Sequence, residues 1–582
     1  MKPVFRISLI LALLALVAAF RFASARTAVP GTVNSLNALT SLKKKTSLSC
    51  RVPPDFVEQL PDIPPLPGWG SHRWKISTGS DSAQFYFDQG INLYYAFHTL
   101  ESRASFAKAI RFDSLCAMAY YGKALALGPT INFGNGFRAE NAAFEAAETS
   151  KKFQSACTAQ EKGLIGAIGK RYSGDTTYDL KKLQHDYAES MRLLANAFPG
   201  NADIITLYAD ALMLEHPWDL YNADLQPKPW TPEIRTVLQR ALAIDSLHPG
   251  ALHFMIHTEE GSLHPEEGEK SAVLLAGLMP DVAHVEHMPS HIYIRSGEYK
   301  KGIDVNDNAI RAYKKYRRLY LPVEEGAVLY LVHAVHMKAS CAMMAGNFSI
   351  AISSCDTLRR LITSSDLLTP GGFGNFFQYA YDFRLFTLLR FGAWNQILLD
   401  PANDSLARYS MLLHHFARGM AFSHLARYPE AEQELGWLRL ILQEPELKAS
   451  YDPFSSAYDA GRIAEAILTG VLAEQKGQYD FAKQAFERAV KAEDALIYDE
   501  PRDWPLPARQ WLGDLLFKMG DPPDAIKVFK RDLQINPLNG WSLTGLKLTY
   551  EAMNNMEALQ KLNINLATAW QIKDRQISRA VY

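Results

Sequence analysis

Residues 283–299 read AHVEHMPSHIYIRSGEY and hold His284, His287 and His291. Spacings of i, i+3 and i+7 put three imidazoles on one helical face. His253 and His257, in HPGALHFMIHTEE, form an i, i+4 pair, and His333 and His336, in LVHAVHMKAS, an i, i+3 pair. Neutral imidazole is a common ligand for borderline metals. Two histidines one helical turn apart, joined by one or two from a neighbouring helix, supply three or four nitrogens. That donor set suits zinc; copper and nickel also take nitrogen ligands, and the affinity order favours copper. Glu259, Glu260 and Glu286 are close enough in sequence to complete or orient such a site, with Asp219 of HPWDL a further candidate. Tyr293 and Arg295 follow His291 and could contact a bound anion.

Two other readings compete with metal binding. Histidines on an apolar helix face can be satisfied core residues, or they can form a proton-sensing or stacking lining. Chance does not account for the pattern: 16 histidines in 582 residues give on the order of half a pair at i, i+4, and the chain has two. Pro289 falls between His287 and His291, so the helix is either kinked there or starts at Pro289, with His287 just before it. G-x-S-x-G, H-E-x-x-H and C-x-x-C are absent, which removes the familiar nucleophile and zinc-protease signatures.

The elements that must position these residues are helical. From Ser82 onward nearly every segment has helical period, and none alternates as a strand would. The helices come in pairs. FYFDQGINLYYAFHTLESRASFAKAIRFDS (85–114) has Gly90 in mid-helix, a break near Phe97, then Phe106 and Ala109 packing back. RQWLGDLLFKMGDPPDAIKVFKRDLQINP repeats this with Gly513, a turn at Gly520, and Phe529. VLAEQKGQYDFAKQAFERAVKAED does so with Gly477 and Phe486.

These segments resemble the tetratricopeptide repeat (TPR), a 34-residue helix–turn–helix unit, over most of residues 82–570, with several units lengthened by insertions such as the one containing YDEPRDWP. The resemblance implies an all-α fold: TPR-type helix–turn–helix repeats stacked into a right-handed superhelix, the first helix of each unit lining the concave surface. HPWDL, HPGALHFMIHTEE, EHMPSHIYIRSGEY and NPLNGWSLTGL together resemble a group of exported bacterial TPR-containing proteins with no established activity.

The same resemblance sets a register. Counting from the turn at Gly297, His284, His287 and His291 take the second, fifth and ninth places of a unit. Counting from Gly346, His333 and His336 take the second and fifth. His253 and His257 lie one 34-residue repeat before His287 and His291. Those places face the groove in TPR proteins, so all seven histidines are expected to converge there. The unit turning at Gly520 holds Pro507, Gln510 and Asp514 instead, so histidine belongs to the central units and not to the scaffold.

Composition bounds the rest. Hydrophobic residues at 48% and charged residues at 21% suit a folded chain rather than a disordered one. A net charge of -1 supplies no basic footprint, so nucleic acid is not an expected partner; the Lys43–Lys45 run reads as solvated. Lys2 and Arg6, the apolar run Ile7–Phe20 and Ala23-Ser24-Ala25 form a secretory signal, with cleavage expected after Ala25 and a periplasmic or extracellular location. No span long enough to cross a membrane remains after its removal. The expected organisation is a signal peptide (1–25), a proline-rich extended leader (26–78), an N-terminal array (79–200), a central histidine-rich array (201–368) and a C-terminal array (369–582). TPGGFGNFFQYAYDF, from residue 369, reads as a hinge between the last two. Five cysteines are too few to carry the fold, although Cys341 and Cys355 could face each other across one hairpin. The expected function is a scaffold whose histidine-lined concave groove binds a transition metal, a protein, a peptide or a small ligand. A plain protein–protein scaffold and a metal-dependent enzyme are the alternatives.

Overall fold

Apolar residues recurring every three to four positions fold here into successive antiparallel helix pairs. The computed structural model describes residues 62–582 apart from Glu140, Thr176 and Asp452, and only the backbone of 324–327. The signal segment with its cleavage position, the Lys43–Lys45 run, Cys50 and the leader up to residue 61 lie outside the described residues. Residues 62–582 form one unit.

The N-terminal helices are α1 (Asp81–Tyr95), α2 (Thr99–Phe112), α3 (Ala117–Ala126), α4 (Asn141–Phe153), α5 (Ala159–Arg171), α6 (Leu180–Ala197) and α7 (Ala202–Glu215). The central ones are α8 (Thr231–Ile244), α9 (Pro249–Glu259), α10 (Glu269–Ala276), α11 (Ala283–His287), α12 (Pro289–Ser296), α13 (Tyr299–Leu319), α14 (Val323–Met344) and α15 (Phe348–Leu361). Then follow α16 (Ser364–Leu367), α17 (Gly372–Arg390), α18 (Trp394–Leu399), α19 (Arg408–His424), α20 (Tyr428–Ile441), α21 (Ala457–Gln475) and α22 (Tyr479–Glu493). The last are α23 (Ala508–Lys518), α24 (Pro522–Ile535), α25 (Gly540–Ala552) and α26 (Met556–Ala569). Among the described residues there is no strand, only an isolated bridge between Tyr221 and Pro227. No described helix is long and apolar enough to cross a membrane.

The repeat is visible in the turns. Phe97, Gly297, Gly346, Gly392, Ala426, Gly477, Gly520 and Asn554 all have positive φ. After each, the next residue's N–H reaches back five residues: His98 to Leu93, Glu298 to Tyr293, Asn347 to Ala342, Ala393 to Leu388, Arg427 to Phe422, Gln478 to Ala473, Asp521 to Leu516 and Asn555 to Tyr550, at 2.8–3.0 Å. One left-handed residue closing a helix with this bond is the Schellman ending. Its recurrence identifies a single TPR-like hairpin used again and again. Gly392 to Ala426 and Gly520 to Asn554 keep the 34-residue spacing; the other intervals are longer because of insertions.

Within a hairpin, the small residue read from the sequence admits the partner helix. A Cβ on Gly90 would lie 2.8 Å from the Phe106 ring, and one on Gly122 would lie 2.2 Å from it. Phe486 meets Gly470, and Phe529 meets Gly513 and Gly545, in the same way.

Three expectations are corrected or sharpened. The glycine-rich segment from residue 369 is not a loop hinge: Gly371, at φ +82°, turns the chain, and the aromatic run is α17 itself. Cys341 and Cys355 are free thiols facing different helices, Cys341 against Gly302 and Cys355 bonded to Thr387. The described part of the leader packs on the body, with Leu66, Trp69, Trp74 and Ile76 buried and the Leu66 and Trp74 N–H groups donating to Gln89 and Asp88 of α1.

C-terminal segments close over the central helices. Arg295 donates to the Ile535 carbonyl, Tyr299 to Pro537, and Trp541 to Met343. Tyr379 donates to Arg502, and Tyr451 donates to Asn132 far back in the chain. The histidine-bearing face is therefore enclosed by its own chain.

Candidate metal centre

Three successive first helices supply the histidines. His253 and His257 lie on α9, His284 and His287 on α11, His291 on α12 and His333 on α14. Pro289 interrupts the hydrogen-bond ladder, but Met288 keeps helical dihedrals, so α11 and α12 are one kinked helix. The kink leaves His287 and His291 on a shared face, with Nε2 atoms 2.6 Å apart.

All six side chains come together. Ligand nitrogens of His253, His257 and His284 lie within 4.8 Å of one another, and so do those of His287, His291 and His333. The first five are at most 2% exposed and His333 is half-buried. Burial, then the charge that neighbouring imidazoles would carry, holds His253, His257, His284, His287 and His333 well below the usual histidine range. These are neutral rings, the form a metal requires.

The outer nitrogens decide which inner lone pairs are free. His253 Nδ1 donates to the Tyr95 carbonyl at 2.6 Å. His287 Nδ1 donates to Asn306 Oδ1 at 2.6 Å, and the Asn306 amide is oriented by its own bond to the Gly302 carbonyl. Both histidines therefore present an unprotonated Nε2 inward. His253 Nε2 faces His257 Nε2 at 3.1 Å, and His287 Nε2 faces His291 Nε2. On the far side, His257 Nδ1 meets one oxygen of Glu260 at 2.9 Å, and His291 Nδ1 meets the other and Glu500 as well. With Glu260 ionised and accepting from both, all four Nε2 atoms are lone pairs pointing at one another. Such contacts need a proton or a metal cation between them. A histidine oriented by a carboxylate or carbonyl on its outer nitrogen is the usual arrangement behind a metal ligand.

Burial pushes Glu260 up to about 8, against its hydrogen bond with Glu500 and the nearby Arg295 charge; burial and the Glu260 charge push Glu500 well above the carboxylate range. A hydrogen bond between these two acids requires one of them to hold a proton; a cation among the histidines would favour the ionised form of the other. His284 is the least satisfied member: it is buried, and neither ring nitrogen has a hydrogen-bond partner. Phe97 caps the group, its ring 4.5 Å from His253, 5.6 Å from His257 and 5.7 Å from His284. It does so from the left-handed turn position, at φ 58°, that glycine occupies in several other hairpins.

A cavity of ≈ 170 Å³, partly open to solvent, reaches the cluster. His257, His284, His291 and His333 form its floor, and Trp218, Tyr330, Phe376, Tyr379 and Phe454 are among its walls.

The remaining candidates lie elsewhere. His336 is turned from the cluster into the rings of Tyr379 and Phe383 of α17. Glu259 points away from Glu260 and is held by Arg235 at 2.5 Å. Glu286 bonds to Asn308 and is pushed up to about 7 by burial. Asp219 pairs with Lys228. Tyr293 lies under Lys301. Arg295 spends its guanidinium on the carbonyls of Glu260, Ser262 and Ile535, so it braces the Glu260 backbone rather than waiting for an anion. Sequence reasoning missed Glu500, Asn306, Phe97 and the Tyr95 carbonyl. Glu500 had a signal, the acidic YDEPRDWP insert that breaks the repeat period.

A second histidine group contrasts with the first. His72 and His248 both meet Asp203 Oδ1, at 2.9 and 3.2 Å, and Tyr95 donates to the same oxygen at 2.9 Å. His248 caps α9, its Nδ1 accepting the Ala251 N–H at 3.2 Å, so its proton sits on Nε2 and points at Asp203.

Comparison with known proteins leaves the family open. No protein-family model matches the chain, and no curated protein matches it. Solved structures that align with it include a human IFIT1 dimer with m7Gppp-AAAA, at 12% identity over 86% of this chain and 92% of that one, with a TM-score of 0.29. A human IFIT1 dimer with PPP-AAAA aligns at 14% identity over 85% and 92%, with a TM-score of 0.30. At that similarity they carry no argument about partners, and the expectation that nucleic acid is not a partner is not borne out by them.

Proposed function

We propose that this TPR-like helical scaffold binds a first-row transition metal through the inward Nε2 atoms of its central histidines, and that the adjoining cavity admits a small ligand to that site. The observation that carries the reading is the pair of facing Nε2 contacts whose outer nitrogens are engaged by Tyr95, Asn306 and Glu260. Zinc, copper and nickel all suit this donor set, and copper is favoured by the affinity order. Glu260 and Glu500 are the orienting carboxylates. Of the two alternatives, the metal-dependent enzyme gains support from the cavity, because it reaches four of the histidines directly. A partner protein would then bind elsewhere on the scaffold. Export, inferred from the N-terminal signal pattern, and a central array over residues 201–368 that carries the metal belong to the same proposal.

The test uses protein purified without a polyhistidine tag. Mass spectrometry of the isolated chain, and of chain reloaded with each metal and desalted, is expected to find bound zinc, copper or nickel. His253→Ala, His287→Ala protein with an unchanged helical circular-dichroism spectrum is expected to retain little or none. No metal retained by the wild type under any loading would overturn the reading.

A further inference from the structure

Resting on that metal-binding reading, we infer that the centre is dinuclear: one ion held by His253, His257 and His284, a second by His287, His291 and His333, with an open position between them facing the cavity.

The six nitrogens fall into two sets, each with its own helical geometry. In each set, two histidines sit at i, i+4, with Nε2 atoms facing at 3.1 Å in one and 2.6 Å in the other. In each set a third histidine comes from outside that turn. His284 completes the first, its ring 5.0 Å from His253, and His333 completes the second, its Nε2 3.5 Å from that of His291. Ligand atoms within a set lie within 4.8 Å of one another, which suits a three-nitrogen site. One ion satisfies one set and leaves the other with lone pairs opposed. His284, in the first set, is buried with no partner on either ring nitrogen.

The sets are side by side. His257 and His291 have ring centroids 5.8 Å apart, and His284 and His287 5.9 Å. Glu260 joins them from behind, one oxygen on His257 and the other on His291, so both ions would be oriented by a single carboxylate. Glu500 reinforces it through His291. The cavity opens on two histidines of each set, His257 and His284 from the first and His291 and His333 from the second. Glu500 also lines the cavity, with its carboxylate engaged at His291 Nδ1. A small donor entering from the cavity, such as water, hydroxide or a short anion, would meet both ions at once, the arrangement by which paired metals polarise or activate one bound group.

Copper is the probe, because its two-ion and one-ion states differ magnetically as well as in number. Wild type loaded with Cu(II) and desalted is expected to hold about two ions per chain. His253→Ala, His284→Ala protein and His287→Ala, His333→Ala protein are each expected to hold about one. Electron paramagnetic resonance adds a readout that does not depend on variants. Two Cu(II) ions bridged by a shared ligand couple, so the integrated wild-type signal should fall well short of the bound copper, while each half-site variant should give its full signal. Azide added to the wild type should shift the ligand-to-metal absorption with one azide per two coppers. Two ions whose signal integrates fully would overturn the bridged arrangement. One ion per wild-type chain would overturn the dinuclear inference and leave metal binding intact, and none would overturn both.

Discussion

Two groups of buried histidines in this protein differ in where their protons lie. In the central cluster, the outer nitrogens of His253 and His287 donate to a backbone carbonyl and an amide oxygen, which turns the inner lone pairs toward each other. In the His72–Asp203–His248 group, His248 accepts a backbone N–H on Nδ1 and turns its N–H toward the carboxylate. Proximity of ligating side chains is the same in both; both have ligand atoms within 4.8 Å. The tautomers make one the proposed receptor for a cation and the other a finished ion pair. Asp203 is held below the usual carboxylate range: burial works against it, and the bonds from His248 and His72 outweigh burial. The comparison teaches that a cluster of donors is a metal candidate only when the outer nitrogens are already spoken for.

The largest expected difference is in stability. Asp203→Asn removes the charge that three donors share, and breaking such a buried arrangement costs roughly 3–5 kcal/mol. Denaturant unfolding should show that loss, while the metal content of the folded fraction stays at the wild-type level. A fall in metal content would place Asp203 in the metal centre and erase the distinction.

Glu260→Gln should do the reverse. The amide keeps the shape but cannot accept from both His257 and His291. Loss of such an orienting group lowers metal affinity by about 10–100-fold. Competition with a chelator of known affinity measures this, and an unchanged affinity would mean that Glu260 only fills space. Unfolding of the metal-free protein should move little.

The smallest effect concerns pH. Burial opposes the His72 imidazolium, but Asp203, Asp245 and Asp88 prevail and raise its pKa above the ordinary value. A raised folded value means its contribution is fully present below about 6.5 and fades as pH climbs through the folded pKa. Wild-type stability should therefore decline more steeply above pH 6.5 than that of His72→Ala. Parallel denaturation curves from pH 6 to pH 8.5 for the two proteins would contradict the assignment.

Much of this centre was legible in the sequence. The repeat period alone places His253, His257, His284, His287, His291 and His333 together, because equivalent places in stacked hairpins must face the same side. His336 escaped that logic, because its ring packs against Tyr379 and Phe383 of α17, a long-range contact that the repeat register does not encode. Glu259 and Glu260 were indistinguishable as neighbours, and only the packing of Arg235 on one and two imidazoles on the other separates them. Glu500 reaches His291 from more than 200 residues away through an insertion, a contact no local pattern encodes. The enclosure of the cluster was likewise invisible. It depends on α17 being a helix where its glycines suggested a loop, and on C-terminal turns that dock onto the central hairpins.

The most direct test of the account is anomalous diffraction at the metal edge from crystals of the metal-loaded protein. Strong peaks are expected among the Nε2 atoms of His253, His257 and His284 and of His287, His291 and His333, and none beside Asp203. A peak between His72 and His248, or a histidine cluster without any peak in protein that retains metal in solution, would contradict it.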